Sequence, residues 1–265
     1  MTKFVALCEY DGSNYSGFQF QDNARSIQHE VEQAIASFAE LNSRVSCAGR
    51  TDTGVHALGQ VIDFNVASYP EDIDWALALN SKLPNDISIK RCQQAPEDFH
   101  ARFSALDRTY AYIIYNSSKR PALMNKNICY VRDKINRELL EKELKSIMGK
   151  HDFSAFRSSR CSAKNSIKEI TEANLYTINK IHILEITANA FLHNMIRIIV
   201  GTLIDICTAS SKHLSSITQV LDSKIRSNAG KTASPHGLYL LGARYKEIDR
   251  FKVPILSLIN HFNYD

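Results

Sequence analysis

The chain has 265 residues, of which 44% are hydrophobic and 23% are charged, a composition typical of a globular protein with one large or two modest domains. Its 32 Lys and Arg against 28 Asp and Glu leave a net charge of +4, which permits a polyanionic partner without requiring one. The cysteines include no Cys-x-x-Cys pair, which argues against a metal finger or a redox dithiol. The first residues lack the apolar run of a signal peptide, and polar residues interrupt the apolar stretch 191–207. We therefore expect no membrane span and a cytoplasmic location.

Strand and helix patterns alternate along the first part of the chain. Residues 3–10 are rich in Phe, Val and Leu and stop at Asp11-Gly12, which predicts a strand that ends in a turn. Ser26 is a candidate N-cap, because apolar residues follow it at helical spacing, namely Ile27, Val31, Ile35 and Phe38. Further patterns predict strands at 45–48, 60–66 and 87–92 and a helix at 72–82.

The second part of the chain has a similar order of patterns. Residues 107–116 are strongly strand-like, and 166–187 predict a hairpin that turns near Asn179. Helices are predicted at 139–148, 191–207 and 215–224, and a last strand at 237–243. We therefore predict an α+β fold of two ferredoxin-like halves, with helices on one side of each sheet, an N-terminal half at 1–105 and a C-terminal half at 106–265.

The polar, glycine-containing loop 48–57 lies between two predicted strands. Taken alone, such residues are typical of an ordinary turn. Gly49 and Gly54 have the spacing of a P-loop, but Val55 and His56 stand where its Lys and Ser or Thr belong. Asp52-Thr53-Gly54 also matches the tripeptide of an aspartic protease, which would need a second aspartate from a dimer because this chain has a single copy.

The same loop resembles the active-site motif of the TruA family of tRNA pseudouridine synthases. The matching string is Gly49-Arg50-Thr51-Asp52-Thr53-Gly54-Val55-His56-Ala57. Other segments resemble the family in the same order along the chain: Tyr10-Asp11-Gly12 with Gly17-Phe18-Gln19, Asp107-Arg108-Thr109-Tyr110, Asn189 to Arg197, and Gly230 to Ala233 followed by Pro235 to Leu240. The resemblance implies a continuous, mostly antiparallel sheet with the active-site cleft between the halves.

The resemblance also implies a role for each candidate residue. Asp52 would be the catalytic carboxylate, acting as nucleophile at ribose C1′ or as base at C2′. Arg197 would pair with Asp52 and favour its ionised form, and Tyr110 would stack on the flipped uracil. Arg50 would help to hold the target nucleotide out of the stack, and Leu238 would lie under the target base. Without the resemblance, each of these residues has an ordinary structural reading, as a core residue or a solvent-facing charge.

A run of cations without an acid is, taken alone, typical of a solvated face, but next to a base-flipping site it predicts a surface that binds RNA phosphates. It spans 157–168 and consists of Arg157, Arg160, Lys164 and Lys168. His56 and His193 have no third ligand at a useful spacing, so we expect no metal, and the resemblance implies no organic cofactor.

The resemblance implies that the function is isomerisation of uridine to pseudouridine at positions 38, 39 and 40 of the tRNA anticodon arm. The partners that the resemblance implies are tRNA and a second copy of the chain in a homodimer. A non-catalytic RNA-binding protein of the same fold remains the main alternative, and a dimeric aspartic protease is a more distant one.

Overall fold

In a computed structural model, the protein is described at residues 1–41, 43–159, 161–208, 216–246, 248, 251, 253–255 and 257. The described residues form two compact units. The first contains Met1–Thr109 and the described residues from Tyr239 onward, and the second contains Tyr110–Leu238. The elements of the first part of the chain are β1 (Thr2–Tyr10), α1 (Ile27–Ala36), β2 (Ser46–Cys47), β3 (His56–Val66), α2 (Trp75–Asn80) and β4 (Ile87–Gln94). Those that follow are β5 (Asp107–Asn116), β6 (Cys129–Val131), α3 (Arg137–Lys145), β7 (Gly149–Asp152), β8 (Ile167–Ile178), β9 (Ile181–Ala188), α4 (Met195–Cys207), α5 (Ile217–Ser223) and β10 (Leu238–Arg244).

The sheet of the first unit has the strand order β4-β1-β3-β10. Strand β1 is antiparallel to both β3 and β4, and β10 runs parallel to β3. On one face Phe4 packs its ring against Phe64 and Trp75, which places α2 on that side. On the other face Val5 and Leu7 share a buried cluster with Phe99, Ala101, Tyr245 and Phe251. Both faces are therefore covered by apolar side chains.

Helix α1 begins where the sequence predicts. The Ser26 hydroxyl accepts a hydrogen bond from the His29 backbone N–H, so Ser26 is an N-cap. Ile27, Val31 and Ile35 are buried on one side of the helix, which confirms the predicted apolar stripe. The helix ends at Ala36, so Phe38, which the pattern included, lies beyond it.

The sheet of the second unit has the order β5-β9-β8-β7, and the short strand β6 runs parallel to β5. Strands β8 and β9 form the predicted hairpin, and Asn179 at its turn has a φ of 51°, a left-handed conformation that Asn tolerates. Helix α4 begins at Met195 rather than at Phe191, because Asn194 before it is also left-handed, with a φ of 62°. Strands β6 and β7 were not predicted.

These features confirm the α+β class and its mostly antiparallel pairing. The two halves with a boundary near residue 105, and the cleft between them, stay predictions; in the contacts of the described residues, the first unit ends at Thr109 and also takes in the chain after Leu238. Among the described residues, no helix is long and apolar enough to cross a membrane.

Candidate active site

The loop that carries Asp52 is fastened at its base to strand β3. The Gln60 side chain accepts the Gly49 N–H at 3.4 Å and donates to the Gly49 carbonyl at 2.6 Å. At the far end, the Val55 N–H donates to the Asp52 carbonyl at 3.1 Å and closes a tight turn. Gly54 within this turn has a φ of 76°, a value that glycine adopts without steric cost. The loop is therefore bonded at both ends.

A buried hydroxyl network fixes the residue before Asp52. Thr51 is 6% exposed, and its hydroxyl lies 2.7 Å from the Tyr10 hydroxyl. Gln60 donates to the same Tyr10 oxygen at 3.3 Å. Burial raises the pKa of the Tyr10 hydroxyl well above its usual value, so Tyr10 stays neutral and able to donate. The network satisfies buried polar groups that would otherwise destabilise the folded loop.

Two glycines of the Tyr10–Gln19 region allow the backbone to approach this loop closely. Gly17 has a φ of 92°, and a Cβ added to it would lie 2.7 Å from the Thr51 carbonyl oxygen. The next residue, Phe18, donates its N–H to that same carbonyl at 3.0 Å. A Cβ on Gly12 would overlap the Val55 carbonyl. The glycines noted in the sequence are thus needed for contact with the loop that carries Asp52.

His56 has a structural place beneath the loop. Its ring is buried and stacks on Tyr239 at a centroid distance of 4.7 Å. Its Nδ1 lies 3.2 Å from the Gly12 backbone nitrogen and 3.1 Å from Asp11 Oδ1. Contact with His56, together with hydrogen bonds from the Ser13 hydroxyl and backbone N–H, lowers the pKa of Asp11. The part of the chain that the structure describes contains no cluster of three or more His, Cys, Asp or Glu that could hold a metal ion.

Asp52 is half-buried at the turn, between the buried Thr51 and the exposed Thr53. This position suits a carboxylate that must be held still while remaining within reach of a substrate. Arg50, two residues earlier, is exposed. Its positive charge, with those of Arg102 and Arg108, acts on the nearby Cys47 thiol and opposes the effect of burial, which raises the pKa of Cys47 to about 12. The first unit therefore brings three arginines close to the start of the loop.

In the second unit, two bonds orient the Arg197 side chain at the start of α4. Its Nε donates to the Ala233 carbonyl at 2.9 Å, and its Nη1 donates to Asn194 Oδ1 at 2.7 Å. The segment that contains Ala233 is itself fastened to α4, because the Gly230 N–H donates to the Thr202 hydroxyl at 2.9 Å. Segments 189–197 and 230–233, which both resemble the family, are thus bonded to each other and together orient the Arg197 guanidinium. Its pairing with Asp52 stays a prediction.

Tyr110 and Leu238 are both largely buried, at 8% and 7% exposed. The Tyr110 ring meets Phe191 edge to face, with the centroids 5.1 Å apart. Packing of this kind holds a flat ring in one orientation, as a stacking platform requires. Leu238 begins β10, directly after the short helical turn Pro235–Gly237. The roles predicted for both residues stay predictions.

Some side chains of the basic run 157–168 donate hydrogen bonds to nearby backbone carbonyls, whereas another is exposed to solvent. Arg157 donates to the Cys161 carbonyl at 2.7 Å, and Lys168 donates to the Asn165 carbonyl at 2.7 Å. Desolvation lowers the pKa of Lys168. Lys164 is exposed. Arg160, predicted to belong to this surface, lies outside the described residues.

Cys161 lies within this basic run and differs from the other buried thiols. Burial raises its pKa, but N–H donation from the backbone of His193 and Ala163, together with the Arg157 charge, outweighs that effect and lowers it. Burial raises the pKa of Cys92 and Cys207 to about 12. The Cys161 thiol therefore ionises more readily than those of Cys92 and Cys207.

The contacts that support the loop were not predicted from the sequence. Tyr10, Thr51 and Gln60 come from separate segments, so no local pattern could join them. Arg108 donates its Nε to the Ala48 carbonyl at 3.1 Å, which ties β5 to the start of the loop. A buried threonine inside a polar loop, and an arginine at the start of a strand, are weak signals that only the tertiary contacts explain.

Comparison with known proteins gives the family of the chain. A family model described as tRNA pseudouridine synthase matches residues 6–104 and 144–246. The chain is 42% identical over 255 residues to "tRNA pseudouridine synthase A" of Buchnera aphidicola subsp. Schizaphis graminum, covering 96% of this chain and 95% of that protein. It is 40% identical over 250 residues to the protein of the same name from Pseudoalteromonas atlantica, covering 94% of each.

Among solved structures, the chain is similar to one titled "Crystal Structure of a Cbf5-Nop10-Gar1 Complex". The TM-score is 0.43 and the identity is 9%, over 93% of this chain and 50% of that chain. The sequence relatives confirm the predicted resemblance and, with it, the predicted class of enzyme, an isomerase acting on tRNA. They give no support to the aspartic protease alternative. The chain belongs to the tRNA pseudouridine synthase family.

Proposed function

We propose that the chain isomerises uridine to pseudouridine at positions 38, 39 and 40 in the anticodon arm of tRNA, with Asp52 as its catalytic carboxylate. Membership of the tRNA pseudouridine synthase family supports both the reaction and the tRNA substrate. The observation that supports Asp52 is its half-buried place on a loop bonded through Gln60 and Thr51. A carboxylate fixed in this way needs little further ordering when the substrate binds.

The reaction exchanges one glycosidic bond for another without net change in composition. The bond from ribose C1′ to uracil N1 breaks, the base turns, and C1′ bonds to C5. The proton leaves C5, and N1 takes up a proton. Asp52 assists either by attacking C1′ or by removing a proton from C2′, and both routes require its anionic form.

The other candidate residues divide the work of holding a flipped nucleotide. Tyr110, fixed edge to face by Phe191, offers a flat ring for the uracil, and Leu238 offers an apolar surface under it. Arg197, oriented by Ala233 and Asn194, stabilises the Asp52 anion. Arg50 is exposed and planar, so it can take the place of the extruded nucleotide in the RNA.

Lys164 provides the clearest test of the proposed phosphate grip of the basic run. It is exposed, so its truncation removes a charge with little effect on packing. We expect Lys164→Ala to weaken tRNA binding and to reduce the salt slope of log K by about 0.9, the value for one phosphate contact on a duplex. The matched control is Lys180→Ala, another exposed lysine of the same unit, in the β8–β9 turn. If log K for tRNA binding had the same salt slope in Lys164→Ala and in the wild type, Lys164 would not contact a phosphate and the proposal would be contradicted.

The homodimer and the cytoplasmic location belong to the same proposal. A dimer would let one tRNA contact both subunits. We expect the purified protein to have the mass of two chains in native mass spectrometry, and a mass of one chain at micromolar concentration would contradict the dimer.

Mapping the modified positions tests the proposed function directly. A tRNA transcript with uridines at 38, 39 and 40 is incubated with the protein, and pseudouridines are located by carbodiimide labelling and reverse transcription. We expect labelling at these positions and at no other uridine. A folded protein that binds the transcript but labels no position would instead support the alternative, a non-catalytic RNA binder.

A further inference from the structure

One phenylalanine of the first unit points into solvent. Phe103 is 75% exposed, although nearby Phe99 and Ala101 are 2% and 0% exposed and belong to the core cluster that also contains Ala48. Arg102 beside it is exposed as well, and its guanidinium lies 5.5 Å from the centre of the Phe103 ring. Exposed aromatic rings next to cations are a feature of surfaces that bind single-stranded nucleic acid.

The backbone of this turn is firmly bonded, so a loose loop does not explain the exposure. The Ala101 N–H donates to the Asp63 carboxylate at 2.7 Å, and the Ala101 carbonyl accepts the Tyr245 hydroxyl at 2.7 Å. His100 and Ser104 bond to each other twice, at 2.9 and 3.0 Å. The His100 ring lies 4.4 Å from the Phe103 ring, which limits the orientations that Phe103 can take.

Arg108 connects this turn to the start of the loop that carries Asp52. Its Nε donates to the Ala48 carbonyl at 3.1 Å, and Ala48 directly precedes that loop. Its Nη1 donates to the Ala105 carbonyl at 3.1 Å, and its Nη2 donates to the Arg102 carbonyl. The Arg108 guanidinium therefore bonds to both segments, and it fixes the position of the turn that carries Phe103 relative to the start of the loop that carries Asp52.

We propose that the turn His100–Ser104 is a second RNA-contacting element, in which Phe103 stacks on an unpaired base near the target uridine and Arg102 contacts an adjacent phosphate. This inference rests on the proposed function for its substrate. RNA is favoured over a second copy of the chain because the exposed Arg102 lies next to the Phe103 ring, and the exposed Arg50 lies on the loop that follows Ala48, to which Arg108 is bonded.

Phe103→Ala is the main test, with Phe103→Tyr as the conservative variant and Leu77→Ala as the matched control. Leu77 lies on α2 of the same unit and is 71% exposed, so its truncation removes apolar surface outside the turn. Because base–aromatic stacking contributes substantially to single-strand binding, we expect Phe103→Ala to weaken tRNA binding roughly 10-fold. Phe103→Tyr and Leu77→Ala should bind as the wild type does. Thermal unfolding of Phe103→Ala should match that of the wild type, since the side chain is exposed.

Salt dependence separates the two contacts. Stacking releases no counterions, so the affinity of Phe103→Ala should keep the wild-type salt slope, whereas Arg102→Ala should reduce that slope by about 0.7, the value for one phosphate of a single strand. A spectroscopic measurement adds an independent readout. The chain has a single tryptophan, Trp75, which is buried, so Phe103→Trp adds an exposed fluorophore whose emission tRNA should quench.

The outcomes distinguish this inference from the proposed function. If wild-type protein isomerises uridine but Phe103→Ala binds tRNA with wild-type affinity, the second element is wrong and the enzyme stands. If tRNA does not change the additional emission of the Phe103→Trp variant, the stacking contact is likewise refuted. If Phe103→Ala instead changes the native mass from that of the wild type, the turn serves contact between copies of the chain and the RNA assignment is overturned. Absence of turnover in the wild type would overturn the proposed function, while a roughly 10-fold loss of tRNA affinity in Phe103→Ala would still support the second RNA-contacting element.

Discussion

Substitution of Gly17 by alanine isolates the contribution of backbone contact to the position of Asp52. Gly17 has a φ of 92°, a region that costs an L-residue about 1–2 kcal/mol. The new Cβ would also lie 2.7 Å from the Thr51 carbonyl oxygen and 3.2 Å from the Asp52 carbonyl carbon. Both are backbone atoms, so no side-chain rotation can relieve the overlap, and the loop itself must shift.

We expect Gly17→Ala to lower turnover strongly while most molecules remain folded. Overpacking typically costs about 1–3 kcal/mol, which with the φ strain gives roughly 2–5 kcal/mol. Since native domains have free energies of unfolding of about 5–15 kcal/mol, most molecules should stay folded at 25 °C. A displacement of the catalytic group near 1 Å, however, lowers turnover by about 100-fold.

The assay is kcat for tritium release from [5-³H]uridine-labelled tRNA at saturating substrate, with Tm measured alongside. Gly149→Ala is the matched control, because Gly149 has a φ of 99° but its added Cβ would meet only the His151 Nε2 at 3.4 Å. This control should lose stability through the same φ strain and keep its kcat. A Gly17→Ala protein with kcat within about twofold of the wild type would refute the reasoning, since 100-fold is the loss expected from misplacement.

Further predictions concern stability and thiol reactivity. Thr51→Val removes the hydroxyl 2.7 Å from the Tyr10 hydroxyl, so urea unfolding should show a loss of about 1 kcal/mol. Because contact with His56 and Ser13 lowers the pKa of Asp11, that carboxylate stabilises the fold above its unfolded pKa of about 3.9, and the stabilisation is lost as pH falls through the folded value. The stability of Asp11→Asn should therefore fall less on acidification than that of the wild type, as measured by urea unfolding across that range. Because its pKa is lowered, Cys161 should be the first thiol alkylated by iodoacetamide in peptide mapping, and bound tRNA should slow that reaction.

The sequence predicted those features of the fold that depend on local chemistry. The N-cap at Ser26, the strand at Asp107–Asn116 and the turn at Asn179 follow from capping, alternation and the left-handed preference of Asn, and the structure has all three. Strand β6 escaped prediction because three residues carry too little periodicity, and its parallel pairing with β5 is a long-range contact. Helix α4 begins later than its apolar pattern because Asn194 adopts a positive φ, which hydrophobic spacing does not encode.

In the candidate site, likewise, the sequence predicted the site residues but not the contacts that hold them in place. Asp52, Arg50 and Arg197 were found through resemblance of short segments to a family. The same segments contain Thr51 and Tyr10, but the contacts that join these two residues to each other and to Gln60 were not predicted, because they connect separate parts of the chain. The exposure of Phe103 was also hidden, because a phenylalanine between Arg102 and Ser104 has no pattern that separates a core position from a surface one.

The central claim is that Asp52 carries the isomerisation. The most direct measurement is tritium release from [5-³H]uridine-labelled tRNA by the wild type and by Asp52→Asn, with tRNA affinity measured for both. The account predicts release by the wild type alone, with similar affinity for the two proteins, because the amide keeps the shape of the side chain and loses its charge. Release by Asp52→Asn at the wild-type rate would contradict it.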